Sequence, residues 1–572
     1  MHIIAAKIAT HTPDLVIIIS YLIGIMALGI WAGYRKKTST TQFFLAGKSL
    51  KWPMIGAALF TANISTIHLV GLTASGFSEG IVVGNFEWMA SFCLIVLGLI
   101  FVPFYLRTKI NTLPEFLEKR YSTTCRMIMA FIAIWSALLL HIGVSLYAGA
   151  KVFDYFFGIP VIYSIIIIAV VTAIYTIIGG LKAIVVTDTI QAVLLLGGCL
   201  LLTVFAIAEL PAAGIHSFAD LKEVVKPDQL SMAHSLRDAN GNFNEYSWLT
   251  LMIGYHVLGI WYWCTDQTIV QKTLGAKDMQ NGQLGAVFAG WLKILPLFFM
   301  VLPGVLAYVL FKDQIGDPND TLTVMIDNLL PVGLKGLFAA GLLAAVMSTV
   351  EAALNSTAAV TAEDIVQHIR PQTKDRTLVL IGRITACVVI VLAMIWSPYC
   401  EKFRNIFVVI NKVPMMFAPA ITTVFVLGVL WKRGTKQAAL ATFIAGLAIG
   451  LPYFLVDLPH TAAVEDIRPA IEALRVGPER IENGMVAGYG IITDGWGIPY
   501  MMAGLILLCI CIAVYLVTSL LTPAPTDEEL DKMGWKPPLH AITSAEFTGI
   551  RDTRLMAGIL FVVMIVLYYL LR

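Results

Sequence analysis

The sequence is dominated by long apolar runs separated by short polar segments. About fourteen of these runs are long enough to cross a bilayer as helices, since a crossing helix needs about 20 apolar residues. They are continuous rather than alternating, which argues against a transmembrane β-barrel. We therefore predict an all-α polytopic membrane protein. The runs lie at 14–34, 53–83, 87–106, 127–150, 161–178, 185–207, 247–267, 284–311, 332–360, 378–397, 405–430, 438–457, 497–521 and 555–571.

Composition supports this class. Of the 572 residues, 58% are hydrophobic and 13% are charged, whereas about a quarter of a soluble domain is charged. The net charge of +2 implies no nucleic-acid partner. The eight cysteines have neither metal-ligand spacing nor a disulfide framework. The first run, 15–30, lacks a small-residue cleavage pattern and continues into a basic cluster, which favours a retained span over a signal peptide.

The placement of Lys and Arg predicts the orientation, because inner loops carry the excess of positive charge. With the N-terminus outside, the basic clusters 35–51, 107–126 and 432–436 fall inside. The hydrophilic stretches 208–246 and 458–496 then lie outside, and 522–554 becomes an inner linker before the last span.

Polar residues at membrane depth need an explanation, because a charged one costs roughly 2.5–3.5 kcal/mol on insertion scales. The densest group is the segment 61–68, which holds Asn63, Ser65 and His68 within the second span. Unwound backbone survives at this depth where it lines a cavity. Hydrogen bonding between helices by Ser and Thr is the alternative.

Glu87 and Lys293 are the buried charges with the clearest implication. Glu87 stands between Phe86 and Trp88, and Lys293 lies deep in the eighth span. The two would either pair or jointly hold a polyhydroxylated solute, since a carboxylate accepts hydroxyl hydrogen bonds. An interfacial Glu87 beside an aromatic belt is the alternative. The seventh span ends in an aromatic cluster, 261–263, that Asp266 and Gln267 follow closely.

The ninth span carries adjacent hydroxyls at Ser348 and Thr349. Oxygen ligands suit a hard cation such as Na⁺, although such side chains also bond back to their own helix. Glu351 either pairs with an inner Lys or Arg or couples a proton. Asp188 either caps the sixth span or meets an ion that leaves inward.

The spans in 53–207 and in 247–430 form two sets of five helices, so the second set is inverted relative to the first. Each leading helix is interrupted by Gly and polar residues, at 61–68 and at 259–267. Interrupted helices at matching positions of inverted halves indicate a secondary transporter with a midplane site. No nucleophile–base constellation points to an enzyme. Residues 1–52 and 431–572 would be additions to this core.

Several motifs occur in the order typical of one family, and the chain resembles the sodium/solute symporters, in particular the sodium–glucose cotransporters, over about 14–457. The motifs are Ala62-Asn63-Ile64-Ser65, Phe86-Glu87-Trp88, Leu113-Pro114-Glu115-Phe116-Leu117, Gly179-Gly180-Leu181 with Thr187-Asp188, Trp261-Tyr262-Trp263-Cys264-Thr265-Asp266-Gln267, Ser348-Thr349 with Leu354-Asn355-Ser356, and Leu430-Trp431-Lys432-Arg433.

The resemblance implies a LeuT-type fold with a 5+5 inverted-repeat core in the cell membrane, which imports a sugar or polyol with Na⁺. Asp188 would lie on the sodium exit path, and Tyr262, supported by Trp263, would be the inner gate. The resemblance implies sodium ligands at Thr61, Ile64, Ala345, Ser348 and Thr349. It implies solute contacts at Asn63, His68, Glu87, Tyr262, Trp263, Lys293 and Asn411.

Two positions depart from the family pattern. Asn411 stands where its sugar transporters have a longer glutamine, and Gly259 stands where an Asn or Thr is usual. Both shorten the reach into the pocket, which leaves hexoses, polyols and amino-sugar derivatives open. Proton coupling through Glu351 or Asp188, and a non-transporting sugar sensor that signals through 522–554, are the rival functions.

Overall fold

The computed structural model describes residues 11–33, 39–402, 410–476, 480–482, 484–532, 535–537, 540–543 and 549–572. It is predominantly helical, as predicted. Within this part of the chain, ten helices are long and apolar enough to cross a membrane, or up to twelve if two bent helix pairs each count as one span. The exact number of fourteen stays a prediction.

The described part of the first half of the chain contains nine main helices, of which α2 and α3 are separated by a break. They are α1 (Thr12–Gly33), α2 (Trp52–Asn63), α3 (Thr66–Glu79), α4 (Ile81–Arg107), α5 (Leu113–Arg120), α6 (Thr123–Phe157), α7 (Val161–Glu209), α8 (249–265) and α9 (Gln267–Leu274). Shorter helices are Thr40–Phe44 and Phe218–Val224.

The second half adds further long helices and a small sheet. They are α10 (Met279–Phe311), α11 (Leu334–Ile369), α12 (Asp375–Glu401), α13 (Ile410–Met416), α14 (Ala418–Leu430), α15 (Lys436–Val456), β1 (His460–Ala463), β2 (Ile481–Glu482), β3 (Met485–Tyr489), α16 (Tyr500–Leu521) and α17 (Thr553–Leu570). Shorter helices are Thr321–Leu329, Arg468–Glu472, Asp527–Lys532 and His540–Thr543.

Two of the predicted regions contain distortions of the helix. The runs 161–178 and 185–207 fold as two helical parts, together labelled α7, which meet at a kink where the backbone of Gly180 is not helical. Gly180 has φ 56°, and a Cβ there would lie 2.5 Å from the Phe43 carbonyl oxygen, so only glycine fits without strain. The run 247–267 folds as α8, whose π-helical ends flank one α-helical turn and a half.

Helix α11 forms the centre of the molecule. Its apolar stretch is 94% buried, against 17% for α1 at the periphery. The N-terminus of α11 is closed by a residue from α1, because the buried carboxylate of Asp14 accepts the N–H groups of Gly333 and Gly336, both at 2.8 Å. A carboxylate at this position is stabilised by the positive end of the helix dipole.

The predicted interruptions of the leading helices are confirmed. Helices α2 and α3 meet at Ile64 and Ser65 with a bend of 65°. The second interruption lies at Asp266, whose extended backbone separates α8 from α9. A third break, between α13 and α14 at Phe417, bends the chain by 63°.

The predicted outer stretch 458–496 is folded where the structure describes it. Strands pair antiparallel in the order β1-β3-β2. We call residues 457–499, as far as they are described, the outer cap. It contacts the other predicted outer loop, because the Asn242 side-chain amide donates to the Ala473 carbonyl at 2.6 Å.

The last helix, α17, packs against α4. The Tyr568 hydroxyl donates to Asn85 Oδ1 at 2.7 Å, and its ring makes an edge contact with Trp88. The Leu571 carbonyl accepts the Met232 N–H at 2.7 Å. Asn85 is two residues from Glu87, so α17 helps to fix the helix that carries that carboxylate.

Candidate functional site

One cavity brings together five of the residues that the sequence analysis assigned to the solute. Asn63, His68, Glu87, Tyr262 and Asn411 all line it. They come from α2, α3, α4, α8 and α13, so the cavity lies between the two predicted sets of five helices. Concave sites with a few convergent polar groups are the usual place for small-molecule binding.

The break between α2 and α3 supplies part of the cavity wall. Ser65 begins α3 as its N-cap, and its N–H is directed to Nδ1 of His68 at 3.3 Å. A continuing helix would send this N–H to the Thr61 carbonyl. The break therefore leaves that carbonyl without its regular partner and turns Asn63 and His68 toward the cavity.

The predicted pairing of Lys293 with Glu87 is confirmed. The Lys293 amine donates to the carboxylate of Glu87 and to the side-chain oxygen of Asn63. Lys293 lies where the first α-helical part of α10 ends, after Leu292, and it is fully buried. Trp88 and Ser91 of α4 hydrogen-bond to carbonyls of α10 at 3.1 and 3.0 Å, which holds the two helices together at this point.

The side chains of Tyr262 and Trp263 differ in their position relative to the cavity. Tyr262 lines the cavity, whereas the Trp263 ring lies behind it in an edge contact with a centroid distance of 5.1 Å. Trp263 is 1% exposed, and its ring centroid lies 5.1 Å from the Lys293 amine. Its predicted supporting role agrees with this position, but Trp263 does not line the cavity.

The residues assigned to sodium lie where α11 crosses the break of α2 and α3. The Thr349 hydroxyl is 3.2 Å from the Ala62 carbonyl and 3.2 Å from the Ala345 carbonyl, so it bonds both across the break and back to its own helix. The Ser348 hydroxyl is buried and has no hydrogen-bond partner among the residues that the structure describes. Ile64 has left the helical conformation at ψ 103°.

Asp188 does not cap a helix, which was one of its two predicted roles. It lies inside the helical part of α7 that follows the kink at Gly180, fully buried beside Ser348 and Thr61. The Lys272 amine is 4.0 Å from its Oδ2. Neither the Asp188 carboxylate nor the Lys272 amine has a hydrogen-bond partner in the described part of the chain.

Glu351 lies on the same side of α11, against α7. Its carboxylate accepts a hydrogen bond from the Thr187 hydroxyl at 3.2 Å, and Asp188 is a neighbour. The cationic group that acts on Glu351 is the buried Lys272, which lies in the predicted inner stretch between the spans 247–267 and 284–311. The predicted interaction of Glu351 with an inner Lys or Arg therefore takes the form of a shared cluster of two acids and one amine.

Sequence reasoning missed three polar residues of the cavity: His141, Ser145 and Tyr255. His141 and Ser145 interrupt the apolar run of α6, so the cost of polar groups at depth could have identified them. Tyr255 gave no such signal, because aromatic residues are common in membrane helices.

The sequence matches the model of the sodium:solute symporter family over residues 43–446. Among curated proteins, it is 32% identical over 506 residues to sodium/glucose cotransporter 4 of Mus musculus, covering 81% of this chain and 72% of that protein. It is 30% identical over 563 residues to sodium/glucose cotransporter 1 of Oryctolagus cuniculus, covering 92% and 81%. It is 29% identical over 551 residues to sodium/myo-inositol cotransporter 2 of Oryctolagus cuniculus, covering 91% and 78%.

Solved structures show the fold. A substrate-bound, outward-open Na⁺-coupled sialic acid symporter superimposes with a TM-score of 0.72 at 18% identity, covering 90% of this chain and 99% of the other. The nucleobase-cation-symport-1 family transporter Mhp1 in a closed conformation gives a TM-score of 0.51 at 13% identity, covering 86% and 98%.

Proposed function

Since this chain belongs to the sodium:solute symporter family, we propose that it imports a sugar or polyol together with Na⁺ across the cell membrane. The protein is a multi-pass membrane transporter. Its curated relatives are named for glucose and for myo-inositol, both of which are polyhydroxylated. The proposal assigns that solute class to the cavity between α2, α4, α8 and α13.

The observation that carries the proposal is the arrangement of Glu87 and Asn63 at the cavity wall, with the buried amine of Lys293 bonded to both from behind and not itself part of the lining. A carboxylate, an ammonium and an amide together offer acceptors and donors to neighbouring hydroxyls of one solute. Tyr262 adds an aromatic face, which suits the C–H face of a sugar ring. The group draws on helices of both predicted repeats, so a bound solute would connect them.

Sodium would bind next to this cavity, at the break of α2 and α3. The ligands would be the carbonyls of Thr61, Ile64 and Ala345 and the hydroxyls of Ser348 and Thr349. The buried hydroxyl of Ser348 without a partner supports this assignment, because a buried polar group is normally satisfied. Asp188, beside Ser348, would receive the ion on its way inward.

The transport cycle would proceed by alternating access between two inverted repeats of a LeuT-type core, 53–207 and 247–430, within a chain of about fourteen spans. Sodium would favour the outward-open state because it binds that state more tightly. Moving one charge across 100 mV yields about 2.3 kcal/mol, which concentrates a neutral solute about fiftyfold. Residues 1–52 and 431–572 would brace this core.

Uptake by proteoliposomes tests the proposal. A panel of radiolabelled hexoses and polyols is offered with an inward gradient of Na⁺ or of choline, at a negative-inside potential. At least one solute should accumulate with Na⁺ and not with choline. Equal accumulation under both gradients would refute sodium coupling.

The same vesicles separate the rival functions. Uptake driven by a pH gradient without Na⁺ would support proton coupling through the cluster of Asp188 and Glu351. Sodium-dependent solute binding with no uptake would support a sensor. The proposed symport requires uptake that follows the sodium gradient and collapses when an ionophore removes it.

A further inference from the structure

His141 is a polar residue of the cavity that has no assigned role. It lies in α6 within the π-helical segment Ala137–Val144, and it is 5% exposed. Leu140, His141 and Ser145 face the same cavity as Asn63 and Glu87. Single π-helical segments inside α-helices often occur at functional sites, because the wider turn redirects side chains.

Asp266 fixes one nitrogen of the His141 ring. The distance from His141 Nε2 to Asp266 Oδ2 is 3.4 Å. The other oxygen of Asp266 accepts the Thr268 N–H at 2.7 Å as the N-cap of α9, so the backbone holds this carboxylate in place. A carboxylate accepts and does not donate, and therefore Nε2 carries the proton.

In the neutral imidazole, the second ring nitrogen is then an acceptor. Nδ1 of His141 has no hydrogen-bond partner in the described part of the chain, and it is not among the buried atoms sealed from solvent. It therefore remains available to the cavity. The His141 ring lies beside Tyr262 at a centroid distance of 5.9 Å, so a group bound at Nδ1 would also lie next to the aromatic side chain proposed as the inner gate.

We propose that His141 is a solute-binding residue whose Nδ1 accepts a hydrogen bond from one hydroxyl of the transported sugar or polyol, with Asp266 as the residue that positions its ring. This inference rests on the proposed function. It adds a specificity determinant from α6, a helix that the family motifs did not mark, and it links solute recognition to the start of α9 through Asp266.

The experiment compares uptake of the preferred solute with uptake of its set of monodeoxy analogues in proteoliposomes at saturating Na⁺. One analogue lacks the hydroxyl that His141 binds. Wild-type protein should discriminate against it by at least about tenfold in kcat/KM, as expected for one lost buried hydrogen bond.

Two substitutions separate solute binding from a purely structural role. Asn places its amide where Nδ1 lies, and Gln places its amide where Nε2 lies. His141→Asn should therefore keep the discrimination against that analogue, whereas His141→Gln, which retains a partner for Asp266, should lose it while still discriminating against the other analogues. A structural role through Asp266 predicts the opposite ranking and would overturn the inference.

Controls keep the outcome clear. His256→Asn changes a histidine of α8 that does not line the cavity and should leave every analogue ratio unchanged. Each variant must retain a sodium-dependent rise of its thermal midpoint. If His141→Asn fails this check, His141→Phe, which lacks both nitrogens, must lose the discrimination.

Wild-type vesicles that take up no solute with Na⁺ would refute the proposed function itself. Wild-type uptake with unchanged ratios in the His141→Gln variant would refute only this inference.

Discussion

The molecule buries two lysine–carboxylate pairs that differ in what surrounds the acid. Lys293 pairs with Glu87, whose carboxylate lines the cavity, and Lys412 pairs with Asp457 of the outer cap at 2.6 Å. Both lysines are nearly inaccessible, with 0% and 6% of their surface exposed. By burial and charge alone, the two pairs would be equivalent.

Their hydrogen bonding separates them. Asp457 also accepts from the Thr493 hydroxyl at 2.5 Å and from the N–H groups of Ile492 and Thr493 at 2.8 and 2.9 Å. A carboxylate has about four acceptor positions, so Asp457 has no capacity left. Glu87 has Lys293 as its hydrogen-bond partner in the described part of the chain and faces the cavity. A saturated buried pair holds structure together, and an unsaturated one can bind a ligand.

The saturated pair should affect stability most. Asp457→Asn leaves Lys412 buried without a counter-charge, which costs about 3–5 kcal/mol of folding free energy. We expect the thermal midpoint of the purified protein to fall by many degrees while KM for the solute stays within about threefold. The double variant Lys412→Met/Asp457→Asn should recover part of the loss. A large rise in KM without a loss of stability would break the distinction between the two pairs.

The unsaturated pair should affect transport most. Glu87→Gln removes the charged acceptor at the cavity, and a lost hydrogen bond to a charged group is worth about 1.5–3 kcal/mol. We expect kcat/KM for sodium-driven uptake to fall about 100-fold, with a sodium-dependent thermal shift still present. The thermal midpoint should fall as well, because Lys293 loses its buried counter-charge. Uptake within threefold of wild type would show that Glu87, like Asp457, only holds structure together.

The Ser348 hydroxyl has no hydrogen-bond partner in the described residues. It therefore has unused hydrogen-bonding capacity, as Glu87 does and Asp457 does not. Ser348→Ala should raise the Na⁺ concentration for half-maximal uptake about tenfold, equivalent to about 1.4 kcal/mol. The solute preference at saturating Na⁺ should not change. Thr442→Ala, another buried hydroxyl without a partner but remote from the break, is the matched control.

The smallest effect concerns the pH dependence of stability at Glu245, in the predicted outer stretch 208–246. Burial, with smaller contributions from the carboxylates of Glu79 and Asp494, raises the pKa of Glu245 to about 7. The folded state then holds the proton more tightly than the unfolded state, so stability is highest below about pH 4.5 for this group and falls as pH rises toward 7. Glu245→Gln should reduce the drop in thermal midpoint between pH 5 and pH 8 by roughly 1 kcal/mol equivalent. An unchanged drop would assign the pH dependence to other groups.

The sequence was most informative where burial of charge forces a partner. The cost of Lys293 at depth led directly to Glu87, and the polar residues within 61–68 and 259–267 located both interruptions of the leading helices. Each of these signals is local, since it follows from residue types within one or two turns of helix, although the contact between Lys293 and Glu87 joins residues 206 positions apart.

The remaining features depend on contacts distant in the sequence. The sequence assigned no role to Lys412, because its partner Asp457 lies 45 residues away in the outer cap and no local pattern marks that contact. The capping role predicted for Asp188 was wrong because the helical part of α7 after the kink at Gly180 begins well before Asp188. His141 was detectable as a polar residue in an apolar run, but its role depends on Asp266, which lies 125 residues away in the sequence.

The brace between Tyr568 and Asn85 has a consequence for biogenesis. These residues are 483 positions apart, and they join the helix that carries Glu87 to one that the ribosome makes much later. During synthesis, the helix that carries Glu87 is therefore in the bilayer before α17 is available to contact it. We expect the pocket to mature only after α17 inserts, so nascent chains halted before residue 553 should be the species most exposed to membrane quality control.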